Sequence, residues 1–260
     1  MLSVTFKGVF FSTSEYENER INIMSTSWKN KYMKAVTFSY DDGVTQDIRM
    51  INLLNKYGLK ATFNLNSELL GTPGILSYQG VRASHYKVSP ADVKGIYEGH
   101  EVAAHTLTHP RLPELDDAEV IRQVETDRQN LSALVGYEVI GMAYPCGGVN
   151  NDDRVAALIR ENTGIKYART ITSVDSFDLQ DNLYRFNPNV HDLFEGDRLM
   201  ELGRRFVEAK PEKPQILYVW GHSYEMDFVE DNWAKLEEFF KLISGREDIF
   251  YGTNREVLLG

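Results

Sequence analysis

The chain has little of several things that would define other protein classes. Cys146 is the only cysteine among 260 residues, which excludes an intrachain disulfide. No apolar run approaches the roughly 20 residues of a membrane-spanning helix, and the N-terminus lacks a basic segment followed by a long apolar core. Basic residues are outnumbered, 28 Lys and Arg against 38 Asp and Glu, and they do not cluster. The sequence therefore predicts a cytoplasmic protein that binds neither nucleic acid nor membrane.

The length and composition suit one large α/β domain, with 42% hydrophobic residues available for its core. Residues 1–34 do not fit the pattern that follows, and we interpret them as a loosely ordered N-terminal extension. From residue 35 to residue 260, short apolar strands alternate with amphipathic helices, which is typical of parallel strands covered by helices. A barrel and a doubly wound open sheet both fit. Residues 66–87 interrupt the alternation, and we interpret them as an irregular loop that contacts the substrate.

Two adjacent carboxylates end the first predicted strand, residues 35–43 (AVTFSYDDG). Asp41 and Asp42 repel each other, and a bound cation is the usual way to stabilise such a pair. The cation also allows the two carboxylates to take different roles. An acidic turn that ends at Gly43 is the alternative interpretation.

Two histidines follow the third predicted strand in the segment HTLTH. His105 and His109 are four residues apart, which would place them on one face of a helical turn where both can bind one cation. Together with Asp42 they form a three-ligand set with open positions for water and substrate. This set fits zinc and also the iron sites that use two histidines and one carboxylate.

Two further strands deliver candidate residues to the same edge of the sheet. The segment MAYPCGG, residues 142–148, is either a structural turn or a turn whose backbone N–H faces a developing oxyanion. Cys146 within it is a structural cysteine or, less readily, a nucleophile, since no base is placed beside it. The strand LYVWG ends at His222, a packed histidine or a general acid. All these residues follow the C-terminal ends of strands, where α/β folds place their sites.

The order of these motifs resembles the polysaccharide deacetylase domain, carbohydrate esterase family four, over residue 35 to about residue 253. TFSYDDG and HTLTH carry the resemblance. It implies a distorted (β/α) barrel of seven or eight mostly parallel strands. The resemblance also implies that Asp42, His105 and His109 bind the metal. It implies that Asp41 is the general base and His222 the general acid. Contacts to the oxyanion or the substrate would come from Tyr144, Pro145, Trp220 and the backbone N–H of Cys146.

The sequence departs from the family pattern at two positions. An arginine that orients the base normally stands two residues before the proline, where this chain has Ala143. We expect Arg169, at the end of the fifth predicted strand, to supply that charge. The family's Asp-x-x-Asp-Trp motif matches DSFDL, which has no tryptophan. We expect Asp178 in this segment to hydrogen-bond His222 and keep it protonated.

These observations predict an enzyme that hydrolyses an amide in an N-acetylated sugar or polysaccharide with the help of a divalent metal. Zn²⁺ is the expected cofactor, and Co²⁺, Ni²⁺ or Fe²⁺ are compatible with the ligands. Two alternatives stay open. One is a metal-dependent hydrolase of a small or cyclic amide, and the other is a carbohydrate-binding relative without turnover.

Overall fold

Strands and helices alternate along the chain in this computed structural model, which describes residues 27–193 and 197–260. The strands are β1 Lys34–Asp41, β2 Ala61–Leu65, β3 Ile75–Tyr78, β4 Val81–Ser84, β5 Glu101–Ala104, β6 Gly141–Ala143, β7 Tyr167–Arg169, β8 Val190–His191, β9 Gln215–Gly221 and β10 Ile249–Tyr251. The helices are α1 Asp47–Lys56, α2 Val93–Ile96, α3 Asp117–Val135, α4 Asp153–Asn162, α5 Arg198–Glu208, α6 Asn232–Ile243 and α7 Asn254–Leu259.

The main sheet is parallel throughout and curls into a distorted barrel. Its strand order is β7-β6-β5-β2-β1-β9-β8, and β10 pairs with the first residues of β1. A parallel bridge between Arg169 and Phe186 brings the chain that leads into β8 alongside β7, so the two ends of the sheet approach each other. The predicted α/β fold with a distorted barrel of mostly parallel strands is confirmed.

The central strand β1 is buried along its whole length, and its large apolar residues Val36, Phe38 and Tyr40 alternate with smaller, mostly polar ones. Alternate residues point to opposite faces of the sheet. Phe38, on the outer face, packs edge-on against Phe239 and Phe240 of α6. Ser39 and Asp41, on the inner face, contact other polar side chains inside the barrel. Helices therefore cover the apolar face, while the polar face lines the barrel interior.

Residues 66–87 are more regular than the sequence predicts. They contain the antiparallel hairpin of β3 and β4, which turns at Gln79 and Gly80 with φ values of 48° and 84°. Most residues of the two strands are exposed, so they carry no core pattern that could reveal them. The prediction of an irregular loop was therefore wrong.

The predicted extension, residues 1–34, lies mostly outside the described residues. Trp28, near its end, is buried and donates its indole N–H to the carbonyl of Val257 at 2.9 Å. Across residues 27–193 and 197–260, none of the helices combines the length and apolarity that crossing a membrane requires.

Candidate active site

The C-terminal ends of β1, β5, β6 and β9 meet at one cavity of about 260 Å³. Parallel strands end at the same edge of a sheet, so residues that follow different strands come together there. The lining residues are Asp41, Asp42, His105, His109, Tyr144, Cys146, Gly147, Ile171, Trp220, His222 and Tyr224.

Asp42, His105 and His109 form a cluster that fits one metal ion. Each offers one ligand atom, and these atoms lie within 4.8 Å of one another. The His105 Nδ1 is 2.8 Å from the carbonyl oxygen of Ala143, which can only accept, so Nδ1 carries the proton. The Nε2 lone pair of His105 is thus left for the cavity, the arrangement usual for metal-binding histidines.

The HTLTH segment is not a helical turn, which corrects the sequence prediction. Thr106 and His109 have φ values of 70° and 61°, outside the helical region. The two imidazole rings nevertheless meet, with centroids 4.9 Å apart. Asn66 donates to the carbonyl oxygens of His105 and Thr106 at 2.5 and 2.9 Å, and the Asp127 carboxylate accepts from the His105 N–H at 3.0 Å. Side chains from other elements therefore hold this loop.

Left-handed backbone conformations concentrate at the site. Of the five non-glycine residues with positive φ in the described part of the chain, four lie here: Asp42, Thr106, His109 and Cys146. Such conformations cost of order 1–3 kcal/mol each and persist where the surroundings enforce them. Gly43 also has a positive φ, and a Cβ there would lie 2.8 Å from a Leu65 side-chain carbon. The turn after the two aspartates is therefore tightly constrained.

Two residues that the sequence analysis missed hold Asp42 from the side. His85 Nε2 lies 3.2 Å from Asp42 Oδ2. Lys87 Nζ donates to the Asp42 carbonyl oxygen at 2.7 Å and lies 3.2 Å from Oδ1. Burial raises the pKa of Asp42, but the His85 hydrogen bond and the Lys87 charge outweigh it and hold that pKa well below the usual value. Asp42 is therefore ionised, as a metal ligand must be.

Asp41 makes a different set of contacts inside the barrel. Asn64 donates to its Oδ1 at 2.8 Å, and Arg169 Nη2 lies 2.6 Å from Oδ1 and 2.5 Å from Oδ2. Arg169 is fully buried and also donates from Nε to the Ser39 hydroxyl at 3.1 Å. It stands directly opposite Ala143 in the pairing of β6 with β7. The arginine therefore reaches Asp41 from the strand beside the position at which the family carries one.

The charges around Asp41 keep it ionised. Burial raises the pKa of this carboxyl, but the Arg169 guanidinium and the nearby His105 and His222 together hold it below the usual value. His105 Nε2 and His222 Nε2 each lie 4.0 Å from Asp41 Oδ2. A carboxylate that is ionised, oriented and next to the metal-ligand cluster can accept a proton.

His222 is paired with Glu225 and not with Asp178. Glu225 Oε2 lies 3.2 Å from His222 Nδ1, whereas Asp178 pairs with Lys213 at 2.9 Å. The predicted hydrogen bond from Asp178 is wrong because Asp178 bridges Gln215, at the opposite end of β9. At about 3.3 Å per residue, His222 lies roughly 20 Å further along. Glu225 lies three residues after His222 in a short 3-10 helix. Apart from that spacing, nothing in the sequence indicates that it is the partner of His222.

Burial lowers the pKa of His222, but the carboxylates of Glu225, Asp41 and Asp42 outweigh it and raise the pKa to about 10. The imidazole is therefore protonated at neutral pH. Its Nε2 lies toward Asp41 at the cavity, and its Nδ1 lies toward Glu225. This histidine can donate a proton into the cavity.

The remaining predicted contacts surround the cavity to different extents. Cys146 and Trp220 line it, as does Tyr144, whose hydroxyl donates to the Tyr184 carbonyl at 2.7 Å. Pro145 is buried and is not among the lining residues. Burial raises the pKa of the Cys146 thiol, whose Sγ is 3.7 Å from His109 Nδ1, so the site does not favour a thiolate.

A sequence model described as polysaccharide deacetylase matches residues 29–168, more than half of the chain. The chain belongs to the polysaccharide deacetylase family. The matched segment of this family member contains Asp41, Asp42, His105 and His109. It ends one residue before Arg169.

The relatives that match this chain are distant in sequence and longer than it is. The peptidoglycan-N-acetylglucosamine deacetylase PgdA of Listeria monocytogenes serotype 1/2a (strain 10403S) is 26% identical over 125 residues, which cover 47% of this chain and 23% of that protein. The chitin deacetylase of Pestalotiopsis sp is 29% identical over 147 residues, or 56% of this chain and 43% of that protein. The matched part therefore spans less than half the length of either relative.

Solved structures share the fold of this family member. The peptidoglycan deacetylase PdaC from Bacillus subtilis has a TM-score of 0.51 and 18% identity, and the superposition covers 86% of this chain and 90% of that one. At this level of identity, the similarity describes the barrel and not its substrate.

Proposed function

We propose that the protein is a metal-dependent hydrolase that removes acetyl groups from an N-acetylated sugar or polysaccharide. The observation that carries this proposal is the meeting of three kinds of group at one cavity. These are a ligand cluster, Asp42, His105 and His109; an ionised carboxylate, Asp41; and a protonated imidazole, His222. Amide hydrolysis requires an activated water, a stabilised carbonyl oxygen and a protonated leaving nitrogen.

Asp42, His105 and His109 would hold the metal ion. A bound divalent cation polarises a carbonyl oxygen and lowers the pKa of water. Asp41, held by Arg169 and Asn64, accepts the proton that the attacking water loses. Because Arg169 faces Asp41 and not the metal ligands, the charges that prepare the base are separate from those that bind the cation.

His222 supplies the second proton transfer. Its Nε2–H donates to the amine nitrogen as the C–N bond breaks, so one proton leaves water for Asp41 and another leaves His222 for the amine. Cys146 lines the cavity and, in the described part of the chain, no carbonyl accepts from its backbone N–H. That N–H is available to the oxygen that becomes negative during the attack.

The position of the β3–β4 hairpin favours a sugar chain over a small enclosed amide. Within the described residues, the cavity lining includes none from residues 66–87. The β3–β4 hairpin therefore does not close over the cavity, although His85 and Lys87 beyond it contact Asp42. A cavity that this hairpin leaves open can accept one residue of a longer chain.

Turnover of a defined panel by Zn²⁺-loaded protein tests this proposal. The panel consists of chitooligosaccharides, peptidoglycan fragments, N-acetylglucosamine, simple acetamides and cyclic amides, with products identified by mass spectrometry. We expect acetate and a free amine from at least one N-acetylated sugar. Asp41→Asn should lower the rate by roughly a hundredfold or more, which is the scale of lost general-base catalysis.

The panel separates the three readings. Cleavage of cyclic amides without release of acetate from sugars would identify the small-amide hydrolase. Saturable sugar binding by calorimetry without turnover of any compound would identify the non-catalytic relative. Asp178→Asn is the matched control for Asp41→Asn, since Asp178 lies away from the cavity and its loss should leave the rate unchanged.

A further inference from the structure

A buried chain of three polar side chains extends from the cavity into the protein behind His222. A single oxygen of Glu225, Oε2, lies 3.2 Å from His222 Nδ1 and 3.2 Å from His191 Nε2. All three side chains are largely buried. Both contacts are at ion-pair distance, although neither Nδ1 of His222 nor Oε2 of Glu225 is aligned as a hydrogen bond. Two imidazoles therefore share one carboxylate oxygen.

The protonation state of His191 follows from its other nitrogen. The Leu193 N–H donates to His191 Nδ1 at 3.1 Å, so Nδ1 carries a lone pair and the ring proton is on Nε2, facing Glu225. His191 is also held in place: it pairs with Trp220 in the β8–β9 register, and its ring packs edge-on against the indole with centroids 4.5 Å apart. A fixed donor thus faces the carboxylate.

We propose that Glu225 and His191 are positioning residues for the general acid. Glu225 holds the His222 ring with Nε2–H facing the cavity, and His191 holds Glu225. This inference rests on the proposed function, because it assigns partners to the acid of that reaction. It explains how the chain keeps the acid in place with Asp178 at the far end of β9.

The same three residues lie close enough together to suggest a metal site, since their ligand atoms fall within 4.8 Å of one another. The Leu193 contact argues against this. A metal on His191 Nε2 would displace the ring proton, while Nδ1 already accepts from the Leu193 N–H. The imidazole would then carry no proton on either nitrogen. A histidine that binds a metal is usually neutral and keeps one ring proton.

Several other titratable groups lie around His222 and set the background for any titration. They are Asp41, Asp42, His105 and His109 at the cavity, Tyr224 on its own segment, and Asp192 beside His191. Burial raises the pKa of Glu225, but His222 and His191 outweigh it and lower the pKa to about 2. Glu225 is therefore a carboxylate across the working pH range.

Titration of the histidine ring protons by NMR tests the proposal without any substrate. Six histidines give few signals, and the His222 signal is the one that His222→Gln removes. Replacement Glu225→Gln keeps the shape and removes the charge. We expect it to lower the pKa of His222 by about 2 units, within the range of a close opposite charge. In the kcat profile, the basic limb should move to lower pH, because His222 loses its proton earlier.

The control is Asp178→Asn. It removes the carboxylate that the family motif predicts as the partner of His222, and it should leave the pKa of His222 unchanged. A Glu225→Gln variant with the wild-type pKa, or a second Zn²⁺ per chain that this variant loses, would overturn the proposal. If the variant fails to fold, the ¹⁵N shifts of His191 in the wild-type protein decide. A proton on Nε2 supports the proposal, and one on Nδ1 contradicts it. Because the NMR titration, the Zn²⁺ count and the ¹⁵N shifts need no turnover, an inactive panel would remove only the kcat profile and would reject only the proposed function.

Discussion

Arg169 is the residue that we expect to take the place of the arginine missing at Ala143. The Arg169 guanidinium contacts Asp41 and Ser39, and it lies 4.6 Å from the centre of the Trp220 ring. The contact between Arg169 and Asp41 could be predicted from the sequence because β6 and β7 are neighbouring strands. An arginine at the end of β7 can therefore reach the same carboxylate as an arginine at the end of β6.

Replacing Arg169 with methionine should separate catalysis from metal binding. We expect turnover to fall roughly a hundredfold, the scale of a misplaced catalytic group, with Zn²⁺ affinity by calorimetry nearly intact. Since removing one partner of a buried ion pair also costs stability, folding must be checked by circular dichroism. Arg169→Met combined with Ala143→Arg should recover part of the rate, because the two positions are paired across β6 and β7.

The exposed Arg160 is the matched control, and Arg160→Met should have no effect on rate. Full activity in Arg169→Met would show that Asp41 needs no cationic partner. Weaker Zn²⁺ binding in that variant would show that Arg169 supports the ligand cluster instead.

At the scale of elements, the sequence predicts what local patterns determine and fails where distant contacts decide. The apolar run of β9 and the alternating large apolar residues of β1 are visible in the sequence because both strands are buried. The two-residue strand β8 has no such pattern, although it places His191 beside β9. The shape of the HTLTH loop depends on Asn66 and Asp127, which the spacing of its histidines cannot reveal.

His100, at the start of β5, connects three elements in its neutral form. Its Nδ1 accepts from the Ala61 N–H of β2 at 3.2 Å, and Nε2 lies 3.1 Å from the Asn55 side-chain oxygen of α1. Burial, aided by the Lys60 charge, lowers the pKa of His100 to about 4. Protonation at Nδ1 would break the contact with Ala61.

This predicts a loss of stability in mild acid. Between pH 6.5 and 4 the unfolded chain binds a proton at this histidine and the folded chain does not, so the free energy of unfolding falls as the pH falls. We expect the wild-type protein to lose about 2 kcal/mol more than His100→Gln over this window, measured by urea unfolding. Equal losses in both proteins would show that His100 does not contribute to the acid sensitivity.

At the scale of the whole molecule, the barrel sets which residues can act together. Asp42 follows β1, His105 follows β5 and His222 follows β9, yet all reach the cavity because parallel strands end at one edge. The family match covers Asp41, Asp42, His105 and His109 and stops before Arg169, His222 and Glu225. The side chains that contact Asp41 and His222 are therefore the part of the site that sequence motifs describe least well, because they come from separate strands and loops.

Metal binding should stabilise the entire fold, since a ligand set drawn from two strand ends exists only when the barrel is formed. Zn²⁺ at about 100 times its Kd should add about 2.7 kcal/mol to the free energy of unfolding. For a chain of this length, that raises Tm by roughly 5–10 °C in a thermal melt followed by circular dichroism. His105→Ala should abolish the rise, whatever its own Tm, because it removes a ligand. His100→Gln should retain it, since that histidine lies away from the cavity. A Zn²⁺-dependent rise of equal size in both variants would place the metal elsewhere in the protein.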